Sequence, residues 1–278
     1  MVQNLRSNRN LYFQMNKFLS VLLLSVVIFS CSPYQNALKT DDVAIKYEIA
    51  TQMYEKGKYA KAIRLFEQMA PTFRGKPQAE KMYYMFAQSY YKTKQYYLAG
   101  YQFESFVSGY PKSEKLEEAA YLAARSYSML SPVYSLDQVN TLKAIDKLQN
   151  FINTFPESQY LAEANVLVKE LREKIEKKVY ENAKNYNKIS DHKSAIIALE
   201  NFISDYPGTP YKEEALYYRL DSAYKLAINS IPAKMEERLQ NAKVAYTNLV
   251  KFNGSTKYKA QADEMLAKIE TDLKQYSK

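Results

Sequence analysis

The amino-acid sequence predicts an all-α superhelical solenoid of about five helix–turn–helix repeats. Three observations carry that expectation. Glycine is scarce, at 6 of 278 residues, and Ala, Leu, Lys and Glu are plentiful, a balance that suits helices better than sheets. An alanine followed four residues later by a large apolar residue recurs along the body of the chain. Three of these units end in an aromatic residue followed directly by proline, at Pro111, Pro156 and Pro207.

The N-terminus reads as an address rather than as part of the fold. Phe18 to Phe29 is an apolar run of twelve, shorter than the roughly 20 residues of a membrane-spanning helix. With Lys17 as its positive flank it fits the core of a signal peptide over 1–30. The run closes on Ile28-Phe29-Ser30-Cys31, which resembles the lipobox of bacterial lipoproteins. That resemblance implies cleavage before Cys31 and acylation of its thiol. Met15 is a natural start, so residues 1–14 read as an upstream extension; Asn10 to Gln14 resembles part of a protease tag site. Residues 31–43 are mostly polar and read as a short lipidated tether.

The repeats follow. The alanine–large pairs are Ala62/Phe66, Ala99/Phe103, Ala144/Leu148, Ala195/Leu199 and Ala242/Tyr246. A second apolar residue stands three further on, at Met69, Phe106, Phe151, Phe202 and Leu249. Spacings of three and four put these residues on one helix face. Alanine lets a neighbouring helix approach, and the large residue fills the space beside it. Proline then stops the helix and biases the preceding aromatic away from helical angles. Ala50, Ala87 and Ala183, each twelve residues before a pair, mark the partner helix. Short turns such as Lys56-Gly57-Lys58 join the two. The stretches Ser131–Gln138 and Ile231–Glu237 read as lengthened connections, and 160–186 as one long helix whose Lys and Glu form a solvated face. This arrangement resembles the tetratricopeptide repeat. By repeat phase, 44–157 holds N-terminal repeats 1–3 and 158–278 holds repeats 4–5 and a capping helix.

A narrower resemblance rests on Tyr47-Glu48-Ile49-Ala50, on Tyr54 to Phe66, and on three stops. Those are Phe106 to Pro111, Phe151 to Pro156 and Phe202 to Pro207. Together with the lipobox, the tether and the length, they make the chain resemble the BamD family of outer-membrane assembly lipoproteins. The resemblance implies a lipid-anchored, periplasm-facing outer-membrane protein that inserts β-barrel proteins together with a barrel insertase of the BamA type. It implies that N-terminal repeats meet unfolded outer-membrane proteins and that C-terminal repeats dock on the insertase. A concave face lined by stacked helices would suit an aromatic-rich extended substrate. Candidate tyrosines there are Tyr47, Tyr54, Tyr84, Tyr91 and Tyr97, among the chain's 27.

Other chemistry is not suggested. The formal charge is +9; removing Arg6, Arg9 and Lys17 with the leader leaves 36 basic against 30 acidic groups, or +6. That mild excess is no nucleic-acid footprint. His192 is the single histidine and Cys31 the single cysteine, and the glycines form no phosphate-binding or nucleophile motif. The expectation is a scaffold with no cofactor, no metal and no enzymatic activity. The alternative reading is a repeat lipoprotein that organises cell-envelope or peptidoglycan enzymes.

Overall fold

The structure, a computed structural model, describes residues 33–276. The signal peptide and Cys31 lie outside the described residues. Twelve α-helices follow one another, and the described residues contain no strand. They are α1 (Pro33–Lys39), α2 (Val43–Glu55), α3 (Tyr59–Phe73), α4 (Ala79–Lys92), α5 (Tyr96–Gly109) and α6 (Leu116–Ser128). Then come α7 (Val139–Thr154), α8 (Leu161–Lys188), α9 (His192–Asp205), α10 (Lys212–Ile228), α11 (Pro232–Phe252) and α12 (Lys259–Leu273). The fold is an all-α, tetratricopeptide-like solenoid. None of the described helices is long and apolar enough to cross a membrane.

The described residues divide into two compact units, with the boundary between Ser126 and Tyr127. Repeat phase places a division after residue 157 instead, so the contact boundary falls inside the third repeat. In the first unit α2 packs on α3 and α4 on α5; in the second α8 packs on α9 and α10 on α11. The core in both is the repeating pattern. Ala62, Ala99, Ala144, Ala195 and Ala242 are each fully buried, as are Phe66, Phe103, Leu148 and Leu199. Tyr246, the fifth large residue, is only half-buried because its hydroxyl donates to Asp263 Oδ1 at 2.7 Å on α12.

The turns are also periodic. After α2, α4 and α8 the chain makes one left-handed residue, Gly57 (φ 69°), Lys94 (φ 61°) and Ser190 (φ 64°). Each belongs to a Schellman closure, in which Lys58, Gln95 and Asp191 donate back to the carbonyls of Met53, Tyr90 and Tyr186 at 2.8, 2.9 and 2.9 Å. The aromatic–proline stops are followed by a hydroxyl three residues after the aromatic. Ser158 and Thr209 each accept from the amide two residues on, at 3.1 and 3.3 Å, and Ser113 accepts from Lys115 at 3.0 Å. Thr256 does the same at 3.3 Å where Asn253-Gly254 replaces the aromatic–proline pair, so the turn survives the sequence departure.

Three expectations need correction. The stretch 31–43 is helical from Pro33 to Lys39, and its Tyr34 and Ala37 are buried. The Lys46 ammonium, itself 7% exposed, donates to the Ala37 carbonyl at 3.1 Å and ties this helix down. One inward pair is too little for a periodic signal. Ile231–Glu237 is not a lengthened connection: α11 starts at Pro232, where proline is pre-organised for the first helical position, and the insertion lengthens the helix to 21 residues. The basic face of α8 is not simply solvated. Lys174 donates to Ser131 Oγ at 2.7 Å, Lys178 to the Leu136 carbonyl at 2.6 Å, and Lys177 sits 4.6 Å over the Tyr134 ring. These lysines pin the Ser131–Gln138 loop, which is the one lengthened connection that the structure keeps open.

Candidate protein-binding surfaces

Four of the five candidate tyrosines fall on the first helices of successive pairs in the first unit. Tyr47 and Tyr54 stand two turns apart on α2, and Tyr84 and Tyr91 two turns apart on α4. All four are half-buried. Tyr47 stacks on Phe73 at 5.2 Å. Tyr91 meets Tyr96 edge-on at 5.7 Å and Phe103 at 6.5 Å. The remaining two form a ladder. The Tyr54 hydroxyl donates to Gln88 Oε1, Gln88 Nε2 donates to the Tyr84 hydroxyl at 2.8 Å, and the Glu118 carboxylate of α6 lies close enough to act on the Tyr84 phenol. Burial, then the Glu118 carboxylate, pushes the Tyr84 phenol far above its ordinary value, so it stays a neutral donor. Lys115 completes the cluster, 3.0 Å from Glu118 and 5.7 Å over the Tyr84 ring. These hydroxyls brace one repeat to the next. What they leave for a ligand is ring edge and face.

Tyr97 does not join them. It lies on α5, on the side away from Ala99 and Phe103, and is 64% exposed. A neighbouring cleft of about 760 Å³ was not anticipated from sequence; Arg74, Tyr83, Tyr101, Ser108 and Tyr110 line it. The spacing of Tyr101, Glu104, Ser105 and Ser108 is a polar helix stripe, which is the signal that could have found it.

In the second unit two adjoining clefts of about 420 and 400 Å³ run between α9 and α11, floored by α10. They share Glu200 and Arg219. The Arg219 guanidinium forks onto Glu200 Oε1, Nε at 2.8 Å and Nη2 at 2.5 Å, and is 16% exposed. Around this pair stand Ile197, Val244 and Phe252, each about half exposed. Lys193, Lys212, Arg238 and Lys251 line the clefts against Glu200 and Glu237. The groove is therefore apolar with a basic rim, and Arg219 retains donors beyond its pair. It can take an apolar, acidic protein surface.

His192 opens α9, and its neighbour Asp191 caps that helix by accepting from the Ser194 amide at 3.1 Å. The Ser194 hydroxyl, then this amide, holds the Asp191 carboxyl below its ordinary value. No group of three or more His, Cys, Asp or Glu suited to a metal ion occurs among the described residues.

Outer membrane protein assembly factor BamD of Pasteurella multocida (strain Pm70) is 22% identical over 231 residues, spanning 80% of this chain and 88% of that protein. The Haemophilus influenzae protein of the same name (strain ATCC 51907 / DSM 11121 / KW20 / Rd) is 22% identical, spanning 77% and 86%. An Aquifex aeolicus (strain VF5) protein carrying that assignment provisionally is 25% identical over 238 residues, spanning 82% and 76%. A solved structure of kinesin-light-chain TPR-like repeats from Podosopora anserina aligns at a TM-score of 0.32 and 16% identity, over 80% of this chain and 98% of that one. The model of the YfiO family, described as outer membrane lipoprotein, matches residues 40–239 and 175–277, nearly the whole described body: the chain belongs to this BamD-like family.

Proposed function

We propose that this protein is a lipid-anchored scaffold, not an enzyme, that takes part in assembling β-barrel proteins at the outer membrane. Cys31 carries the anchor, and the folded body faces the periplasm. The second unit docks on a barrel insertase of the BamA type, and the tyrosine face of the first unit meets unfolded outer-membrane proteins. The observation that carries the reading is the family match over 40–277, from the first repeat to the capping helix. The groove between α9 and α11 supports the docking step, because an apolar floor with cationic rims suits a partner surface of opposite charge.

The test is a mild-detergent pull-down of the acylated protein from its own membranes, with mass spectrometry of what accompanies it. A barrel protein with periplasmic domains is expected. Ile197→Asp and Val244→Asp, both on exposed positions, are expected to lower its recovery about tenfold, near 1.4 kcal/mol of binding. Recovery of peptidoglycan enzymes in place of a barrel protein would sink the assembly reading and favour an envelope organiser.

A further inference from the structure

We infer that the chain, once acylated, rests one defined end of its first unit against an anionic lipid surface, with α1 as a fixed strut. The inference rests on the proposed acylation of Cys31. Cys31 precedes Pro33 by two residues, a span of at most about 7 Å of chain. From Pro33 onward the chain is docked, not free. Tyr34 is 6% exposed and Ala37 fully buried, and Lys46 holds the Ala37 carbonyl.

The direction of α1 follows from its contacts. Tyr34 lies under the Lys61 ammonium at 5.0 Å, in the first turn of α3. Ala37 lies near Lys46, which also bonds Gln68 two turns further along α3. The N-terminus of α1 therefore points to the end of the unit that carries the α2–α3 turn. The α4–α5 turn is at the same end, because Tyr54 near the close of α2 bonds Gln88 near the close of α4. That end presents Lys56, Lys58, Lys61, Lys92 and Lys94, all exposed. None of the five pairs with a carboxylate among the described residues. Within the two turn segments 55–61 and 92–94 the acid is Glu55. The opposite end mixes Arg74, Lys76 and Lys112 with Glu80 and Glu114. So the chain enters α1 on the side of these lysines, within about 7 Å of the residue proposed to be acylated. An acyl anchor and a basic patch on one side reinforce each other at a membrane carrying anionic headgroups.

The test uses the full chain purified in acylated form and reconstituted in vesicles of phosphatidylethanolamine with phosphatidylglycerol, a fraction of headgroups bearing nitroxide. With Cys31 blocked by lipid, a fluorophore goes on Lys94→Cys or, at the other end of the unit, on Lys112→Cys. The 13 residues of α2 separate those ends by about 20 Å. Quenching is expected to be several-fold stronger at residue 94, and to drop when Lys56, Lys58 and Lys61 are changed together to Glu. Equal quenching at the two positions, or no response to the charge reversal, overturns the inference. Mass spectrometry of the N-terminal peptide is run on the same sample. An unmodified Cys31 there refutes the acylation reading itself, which is a separate failure.

Discussion

The two units solve one problem with different chemistry. In each, a side chain on the first helix of one pair reaches the residue 34 positions later on the first helix of the next. In the first unit the links are Tyr54 to Gln88 and Tyr84 to Glu118, set among close aromatic contacts such as Tyr84 with Phe106 at 5.5 Å. In the second they are Tyr180 to Glu214 at 3.0 Å and Asn187 to Asp221 at 2.7 Å. There each acceptor is also held by a lysine, Lys257 to Glu214 and Lys225 to Asp221, both at 2.7 Å. The repeat geometry thus fixes where a brace must sit but not what it is made of. In the first unit one acceptor is an amide, Gln88, and the other a lysine-held carboxylate, Glu118; in the second both acceptors are lysine-held carboxylates.

Emptying a buried site in each unit should break that contrast most severely. Phe103→Ala removes a fully buried ring that Tyr84 and Tyr91 border, and is expected to destabilise the first unit by about 3–5 kcal/mol. Leu199→Ala in the second unit, where the smaller buried side chain shares a core with Tyr180 and Phe202, is expected at about 2–4 kcal/mol. Urea unfolding followed by hydrogen exchange on peptides from each unit measures both. Equal losses would mean that the aromatic cage adds nothing beyond volume.

The braces come next. Tyr180→Phe removes a donor from Glu214 and is expected to cost about 1–2 kcal/mol, read in the same exchange experiment as faster opening of α10. Tyr84→Phe is expected to cost about 1 kcal/mol and to loosen α4 and α6 instead.

Acid should separate the units as well. The Lys257 hydrogen bond, then that of Tyr180, holds the Glu214 carboxyl below its ordinary value of 4.5. A folded value below the unfolded one adds stability that is complete above the unfolded value and drains as pH falls through the folded one. Exchange protection in α10 is therefore expected to fall below about pH 4.5, and Glu214→Gln to flatten that dependence. Unchanged acid sensitivity in the Gln variant would remove Glu214 from the account.

The smallest expected effect is a gain. Lys94 and Ser190 hold the left-handed turn position that Gly57 holds without penalty. Lys94→Gly in the first unit and Ser190→Gly in the second should each stabilise by about 1 kcal/mol, measured by thermal melting. A loss at either site would show that its turn is not under backbone strain.

Much of this was legible in the sequence, for identifiable reasons. All five alanines of the pairs and four of the five large residues are fully buried, as their spacing requires, and the long helix expected over 160–186 runs from Leu161 to Lys188. Local rules with a period of three to four residues survive folding. What escaped depends on partners distant in sequence. On α8 Tyr186 is 41% exposed, while Tyr180 and Asn187 are buried because α10 supplies Glu214, Asp221 and Ser222 to receive them. The candidate tyrosines follow the same lesson. Repeat phase grouped four of them on one face, but Tyr97 shares only their residue type. The groove around Arg219 had no single-helix pattern to reveal it, since α9, α10 and α11 each contribute to it.

The pinned loop between α6 and α7 has a consequence for cleavage. A stretch such as Ser131–Gln138, without helix and with Val133 and Leu136 largely exposed, is where a protease would ordinarily nick a folded chain. Cleavage needs several residues to leave the surface together and enter the protease as an extended strand. Here the Gln138 amide donates to the carbonyls of Val133 and Leu136 at 2.9 and 2.8 Å, and Lys174 and Lys178 hold the stretch from the other side. The loop is thus exposed without being available, and limited digestion should leave it intact until α8 itself begins to open.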